Sequence, residues 1–303
     1  MTPPVFGSYD QAGLDAQYNL RARHPDHPEY FERWARESAL VRASLPCHLD
    51  LAYGDRPKET LDLFPADRPS APILAFLHGG YWQALDKSDF SYLAPVYVER
   101  GVTFVSVNYE LAPDVSIETI LAQCRRALLW LWRNAYELGA DRDRIFVAGH
   151  SAGGHLATMS LITDWTAAGA LPADLVKGAC SVSGVYDLEP IRVSYQNPIL
   201  KLDRVAAVRL SPIRNVPATA GPLLLAVGAE ETDEFLRQQK EFAAAWVSRG
   251  LACETVPLPG RHHFSAVDAL GEPGSPLTER VIRMATSGTG RQPPRLAEMP
   301  RLA

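Results

Sequence analysis

The five residues Gly149, His150, Ser151, Ala152 and Gly153 place a serine midway between two glycines. They lie where the apolar run of residues 144–149 gives way to the helical run 155–162. A strand that turns this sharply into a helix crowds its own backbone, so glycine is needed on both flanks. The serine hydroxyl is thus thrown out above the sheet. A hydroxyl held there can attack an ester or amide carbonyl and form an acyl-enzyme, provided a base takes its proton. A second glycine pair, in His78-Gly79-Gly80-Tyr81-Trp82, follows the apolar run 72–77. Backbone N–H groups from this loop, with the N–H of Ala152, are the donors that would hold the negative charge developing on the carbonyl oxygen.

The base for such a serine comes from a loop beyond a late strand. Arg261-His262-His263-Phe264 supplies two histidines there, of which His263 is the expected base. His24, His27 and His48 read as surface or core residues. The acid that orients the histidine by accepting the hydrogen bond of its Nδ1–H falls between serine and histidine in chain order. After the run 222–228, Glu230, Glu231, Asp233 and Glu234 are all available, and spacing alone leaves the four open. The remaining three would be helix-start charges, favourable at a helix N-terminus. His150 and His155 lie five apart around a tight turn and no H-E-x-x-H pattern occurs, so neither a metal nor a cofactor is expected.

These residues need a scaffold, and the rest of the sequence describes one. Residues 49–54 and 60–66 alternate apolar and polar side chains as an antiparallel edge pair would. Six near-continuous apolar runs follow, the signature of strands buried on both faces of a parallel sheet. Helical periodicity separates most of them, clearest over 116–138, where Ile117, Ile120, Leu121, Cys124, Leu128 and Leu131 recur at three- and four-residue steps, and again over 232–249. Strands alternating with helices predict a doubly wound α/β fold with a mostly parallel central sheet and helices on both faces. Residues 1–45 carry amphipathic helical patterning, with a helix start near Asp26 and Pro28, and are expected to form a short helical cap. Residues 46–285 would form the catalytic domain. Residues 286–303, rich in Gly, Pro and charge without periodicity, read as a loose tail.

Composition narrows the function classes. The chain has 303 residues, 47% hydrophobic and 21% charged, which suits one sizeable globular domain. A formal charge of -5 argues against nucleic acid, whose binding needs a clustered excess of Lys and Arg. The start of the chain has neither a basic stretch nor an apolar run, and no stretch of about 18 apolar residues occurs. No membrane association and a cytoplasmic location are therefore expected. The four widely spaced cysteines read as reduced thiols rather than a disulfide framework. A homodimer is compatible with the sequence.

With HGGYW, GHSAGGH, VYDLEPI and HHF in this order, the chain resembles the kynurenine formamidase (arylformamidase) branch of the α/β-hydrolases, neighbours of the hormone-sensitive-lipase-like esterases. The resemblance runs over about residues 9–283. It implies Ser151 as nucleophile, His263 as base, Gly79, Gly80 and Ala152 around the oxyanion hole, and Tyr81 and Trp82 near the substrate, with Trp34 among cap residues that would stack an aryl ring. It also places Glu231 where the family has its acidic residue, usually aspartate. The activity implied is hydrolysis of N-formylkynurenine to kynurenine and formate through a formyl-enzyme, so the expected partner is a small molecule with an aryl amide or ester. A carboxylesterase on short-chain or aromatic esters would use the same machinery, because pocket shape and not fold decides between them. A non-catalytic binding protein on this fold is disfavoured, since it has no need to keep elbow, oxyanion loop and base together.

Overall fold

Eight strands form one sheet: β1 (His48–Ala52), β2 (Thr60–Phe64), β3 (Ala71–Leu77), β4 (Thr103–Val107), β5 (Ala140–His150), β6 (Val176–Val182), β7 (Leu223–Gly228) and β8 (Cys253–Leu258). This is a computed structural model, which describes residues 3–287. The strand order is β1-β2-β4-β3-β5-β6-β7-β8. The first two pairings are antiparallel and all the others parallel. The expected doubly wound sheet with an antiparallel edge is what the chain forms. β3, β4 and β7 are buried at every residue, which requires cover on both faces, whereas the edge strand β1 is largely exposed and β8 exposes half its residues.

The cover comes from helices. At the N-terminus lie α1 (Gln11–Tyr18), α2 (Leu20–Arg23) and α3 (His27–Ser44), followed by α4 (Ala94–Val98), α5 (Ile117–Asn134) and α6 (Ala152–Leu161). Ser116 caps α5 by accepting from the Thr119 N–H, and the predicted apolar stripe of that helix is buried. The helix stops at Asn134, short of the predicted 138. The Ala140 N–H turns back to the Ala135 carbonyl there, and Gly139 supplies a left-handed φ of 69°. Between β6 and β7 the chain makes α7 (Glu189–Arg192), α8 (Asn197–Leu200) and α9 (Arg204–Arg209), short helices for which sequence periodicity gave no warning. Next come α10 (Asp233–Ser248), α11 (His263–Ala266) and α12 (Pro276–Thr286). The loose tail expected over 286–303 lies, from residue 288 on, outside the described residues.

The N-terminal helices are tied to the body by buried polar contacts. The Tyr18 hydroxyl donates to Glu234 Oε2 at 2.8 Å and accepts from Gln238 Nε2 at 2.8 Å, joining α1 to α10. Asp268 accepts from Arg33 at 2.6 Å, from the Trp34 indole at 3.1 Å and from the Tyr92 hydroxyl at 3.1 Å, which pins α3. Trp34 packs on Phe90, ring centroids 5.5 Å apart. Among the described residues no helix is long and apolar enough to cross a membrane. All four cysteines are free, Cys124 and Cys180 buried and Cys47 and Cys253 half-buried.

Candidate active site

β5 ends at His150, and Ser151 sits between it and α6 with φ 57° and ψ −120°, a backbone conformation that costs an L-residue strain. The flanking glycines are sterically required. A Cβ on Gly153 would lie 1.9 Å from the Leu77 carbonyl oxygen, and one on Gly149 would lie 2.1 Å from the Gly153 carbonyl oxygen. Neither clash can be relieved by turning a side chain, because both partners are backbone. The Ser151 N–H donates to the Val182 carbonyl at 2.8 Å, which fixes the elbow to β6.

His263 opens α11, one residue after the N-cap. Its Nδ1 is 2.7 Å from Glu231 Oε2, with both side chains buried. A carboxylate accepts, so Nδ1 carries a proton, and in the neutral imidazole Nε2 then has its lone pair free to act as base. The second oxygen, Glu231 Oε1, accepts from the Gly228 N–H at 3.1 Å and from the Ser183 hydroxyl. Three donors thus hold the carboxylate. The other candidates are elsewhere: Glu230 and Asp233 are exposed, and Glu234 is taken up by Tyr18 and Arg237. His262, the neighbour of the predicted base, has its own work, since its ring accepts from the Phe264 N–H to cap α11 while Nε2 meets the Tyr30 hydroxyl at 3.0 Å.

Ser151 and His263 line one cavity of about 340 Å³ beyond the carboxyl ends of β3, β5 and β8. The two side chains are not hydrogen-bonded to each other, a separation such pairs often have until substrate closes it. Gly80, with φ 100°, and Tyr81 line the same cavity. The backbone N–H groups of Gly79, Gly80, Tyr81 and Ala152 have no acceptor among the described residues. Gly79 is packed close to the elbow: a Cβ there would lie 2.8 Å from the His150 carbonyl oxygen and 3.2 Å from Ser151 Cβ. His150 donates Nε2–H to the His263 carbonyl at 2.9 Å, and its burial, with the adjacent His263 ring, pushes its pKa well below the usual value and keeps it neutral.

Tyr81 and Trp82, expected side by side near a substrate, part company. Both have left-handed φ, 53° and 57°. Tyr81 faces the cavity, its hydroxyl donating to the Tyr18 carbonyl at 2.7 Å. Trp82 is fully buried and does not line the cavity; it stands edge-on to His155 at 5.1 Å, beneath the elbow helix. Its place corrects the expectation: this indole supports α6. Trp34 does line the cavity, with its indole N–H committed to Asp268.

Sequence reading missed most of the remaining wall. Phe31 and Phe264 supply apolar surface, and Asn19, Arg21, Tyr195 and Gln196 supply polar groups. Gln83 donates to Gln196, which donates to the Tyr195 hydroxyl, a chain of side-chain amides along one side. No local motif marks these residues. The available signal for Phe264 was its place directly after the predicted base.

The fold and this site define the class. A family model described as the alpha/beta hydrolase fold matches residues 74–266. The chain belongs to the α/β-hydrolase family, on the branch that holds the kynurenine formamidases. It is 33% identical to "Kynurenine formamidase" of Danio rerio over 78% of this chain and 81% of that protein. It is 30% identical to "Esterase LipQ" of Mycobacterium tuberculosis over 71% of this chain and 56% of that protein. Among solved structures, a presumed thioesterase from Silicibacter sp. tm1040 is similar with a TM-score of 0.77 at 31% identity, covering 88% of this chain and 97% of that one.

Proposed function

We propose that the chain is a serine hydrolase that cleaves aryl formamides, with N-formylkynurenine as substrate and kynurenine and formate as products. The observation that carries this reading is the chain of contacts from Glu231 through His263 into a cavity shared with a strained serine and unpaired backbone donors. Ser151 Oγ attacks the formyl carbonyl while His263 Nε2 takes the hydroxyl proton. The oxyanion is held by N–H groups of the Gly79-Gly80 loop and of Ala152. His263 then returns the proton to the departing aryl nitrogen, leaving a formyl ester on Ser151. Water, deprotonated by the same histidine, attacks that ester and releases formate. Glu231 keeps the proton on Nδ1 and balances the imidazolium. Aromatic walls at Phe31, Tyr81 and Phe264 suit an aryl leaving group.

A carboxylesterase acting on short-chain or aromatic esters is the second reading, supported by the likeness to the mycobacterial esterase. We place the protein in the cytoplasm, in keeping with its four free thiols. One preparation assayed with N-formylkynurenine and with p-nitrophenyl acetate and butyrate separates the readings. Turnover of the formamide supports the first; esters turned over with the formamide untouched leaves the second.

A further inference from the structure

The cavity walls carry aromatic, aliphatic, amide, hydroxyl and imidazole groups, and one permanently charged side chain, that of Arg21. Among the described residues no carboxylate lines the cavity. Arg21 lies in the short helix α2, exposed, with its guanidinium carbon 5.7 Å over the Phe31 ring. It makes no ion pair with any described residue, although the whole chain carries an excess of acidic groups. Asp15, an acid that bears on Tyr195 as Arg21 does, is engaged by Gln11 Nε2 at 2.9 Å and by the Tyr195 N–H at 2.8 Å, and lies outside the cavity wall. Burial raises the Tyr195 phenol, and the Arg21 charge works against that rise, so the guanidinium bears on the same part of the wall.

An uncompensated guanidinium, steadied on an aromatic face at the rim of a mostly apolar cavity, is a receptor for a carboxylate. It offers planar paired donors and loses little hydration on pairing. We propose that Arg21 anchors a carboxylate carried by the substrate, so that the cavity selects amino-acid-like or other anionic aryl substrates over neutral ones. The proposal rests on the formamidase reading for the side of the substrate involved: a formyl group bears only hydrogen, so the carboxylate must be on the amine that leaves. Such an anchor is far from the bonds that change and holds ground state and transition state alike. It therefore acts on KM and leaves kcat nearly unchanged.

The test uses Arg21→Gln and Arg21→Lys with three substrates: N-formylkynurenine, its analogue with hydrogen in place of the carboxylate, and p-nitrophenyl acetate. Arg21→Gln should raise KM for the carboxylate-bearing formamide about ten- to a hundredfold, the range of one charge-assisted contact. kcat should stay within about threefold, and Arg21→Lys should fall between. Turnover of the neutral analogue and the neutral ester should change less than about twofold, and the wild type should prefer the charged substrate by the factor that Arg21→Gln removes. Equal effects on charged and neutral substrates would make Arg21 structural and overturn the proposal, as would a wild type indifferent to the carboxylate. If the wild type cleaves esters but neither formamide, the formamidase reading falls by itself. The anchor is then judged on phenyl acetate against 4-acetoxyphenylacetate: a preference for the acid that Arg21→Gln abolishes keeps it, and no preference ends it.

Discussion

The cavity has two halves that are built in different ways. The half holding Ser151, Glu231 and His263 hangs on the ends of β5, β7 and β8, and its parts are fixed by short stretches of backbone. Gly149 and Gly153 are demanded by atoms within a few residues of the elbow and by the neighbouring strand end. The facing half, with Arg21, Phe31, Trp34 and Tyr195, is held by contacts between distant segments, such as Trp34 to Asp268 and Tyr195 to Asp15, separated by 234 and 180 residues. The elbow and the acid are each seated largely by backbone close to them, although the groups come from distant parts of the chain, whereas the recognition wall is itself held by long-range contacts. The two halves should therefore fail differently, the first in kcat and the second in KM.

The largest effect should come from the nucleophile. Ser151→Ala should lower kcat by about ten-thousand- to a millionfold, the span seen when such a residue is removed, with an unchanged unfolding transition. Steady-state activity above a few per cent would end the serine mechanism. Next in size is a response to acid. His78 and His155 are fully buried, and burial depresses each pKa to about 4. The unfolded chain binds a proton at each near pH 6.5 while the folded one does not. This stability is thus full above pH 6.5 and is lost as pH falls towards 4, by roughly 3 kcal/mol for each histidine. Urea midpoints measured from pH 7 to 4.5 should drop steeply, and His155→Gln should make the slope shallower. Both histidines lie beneath the chemical half; an unaltered slope would mean that the acid sensitivity lies elsewhere.

Glu231→Gln should lower kcat about a hundred- to ten-thousandfold, because Nδ1 loses its acceptor and the imidazolium its counter-charge. The amide would also present an N–H₂ group to Ser183, Gly228 or His263, which are all donors. Asp268→Asn tests the other half. It leaves one acceptor oxygen for the three donors Arg33, Trp34 and Tyr92, and burial has already raised the Asp268 pKa. Stability should fall by about 1–3 kcal/mol and KM should rise several-fold as α3 loosens, with kcat nearly held. A loss confined to kcat would break the division between the halves.

The same division explains what could be read from the sequence. Strand alternation, the stripe of α5 and the elbow were legible because the residue pattern that marks each spans only a few residues. The pairing of His263 with Glu231 joins residues 32 apart, so spacing left four carboxylates open and only likeness to a family pointed at one. Trp82 was misplaced because side-chain direction in His78–Trp82 depends on two successive left-handed residues, which no composition reveals. α7–α9 and the wall they bring were missed because four- to six-residue helices are too short to show a period.

The smallest effect expected is that of Asp233→Asn, and it is the sharpest check on the acid. Asp233 is the residue that a loop of similar acids makes easiest to confuse with Glu231. It is exposed at the first position of α10, and the N-cap before it, Thr232, spends its hydroxyl on the Gln17 carbonyl at 2.9 Å. What the Asp233 charge can contribute is a favourable term at a helix N-terminus, about 0.3–1 kcal/mol and screened by salt. Asparagine keeps the size and removes the charge. kcat and KM should each stay within about twofold, and the unfolding midpoint should fall slightly at low ionic strength and not in high salt. If Asp233→Asn instead cripples kcat while Glu231→Gln is nearly normal, the chain must rearrange at this loop during turnover, and the chemical half would not be the locally fixed one.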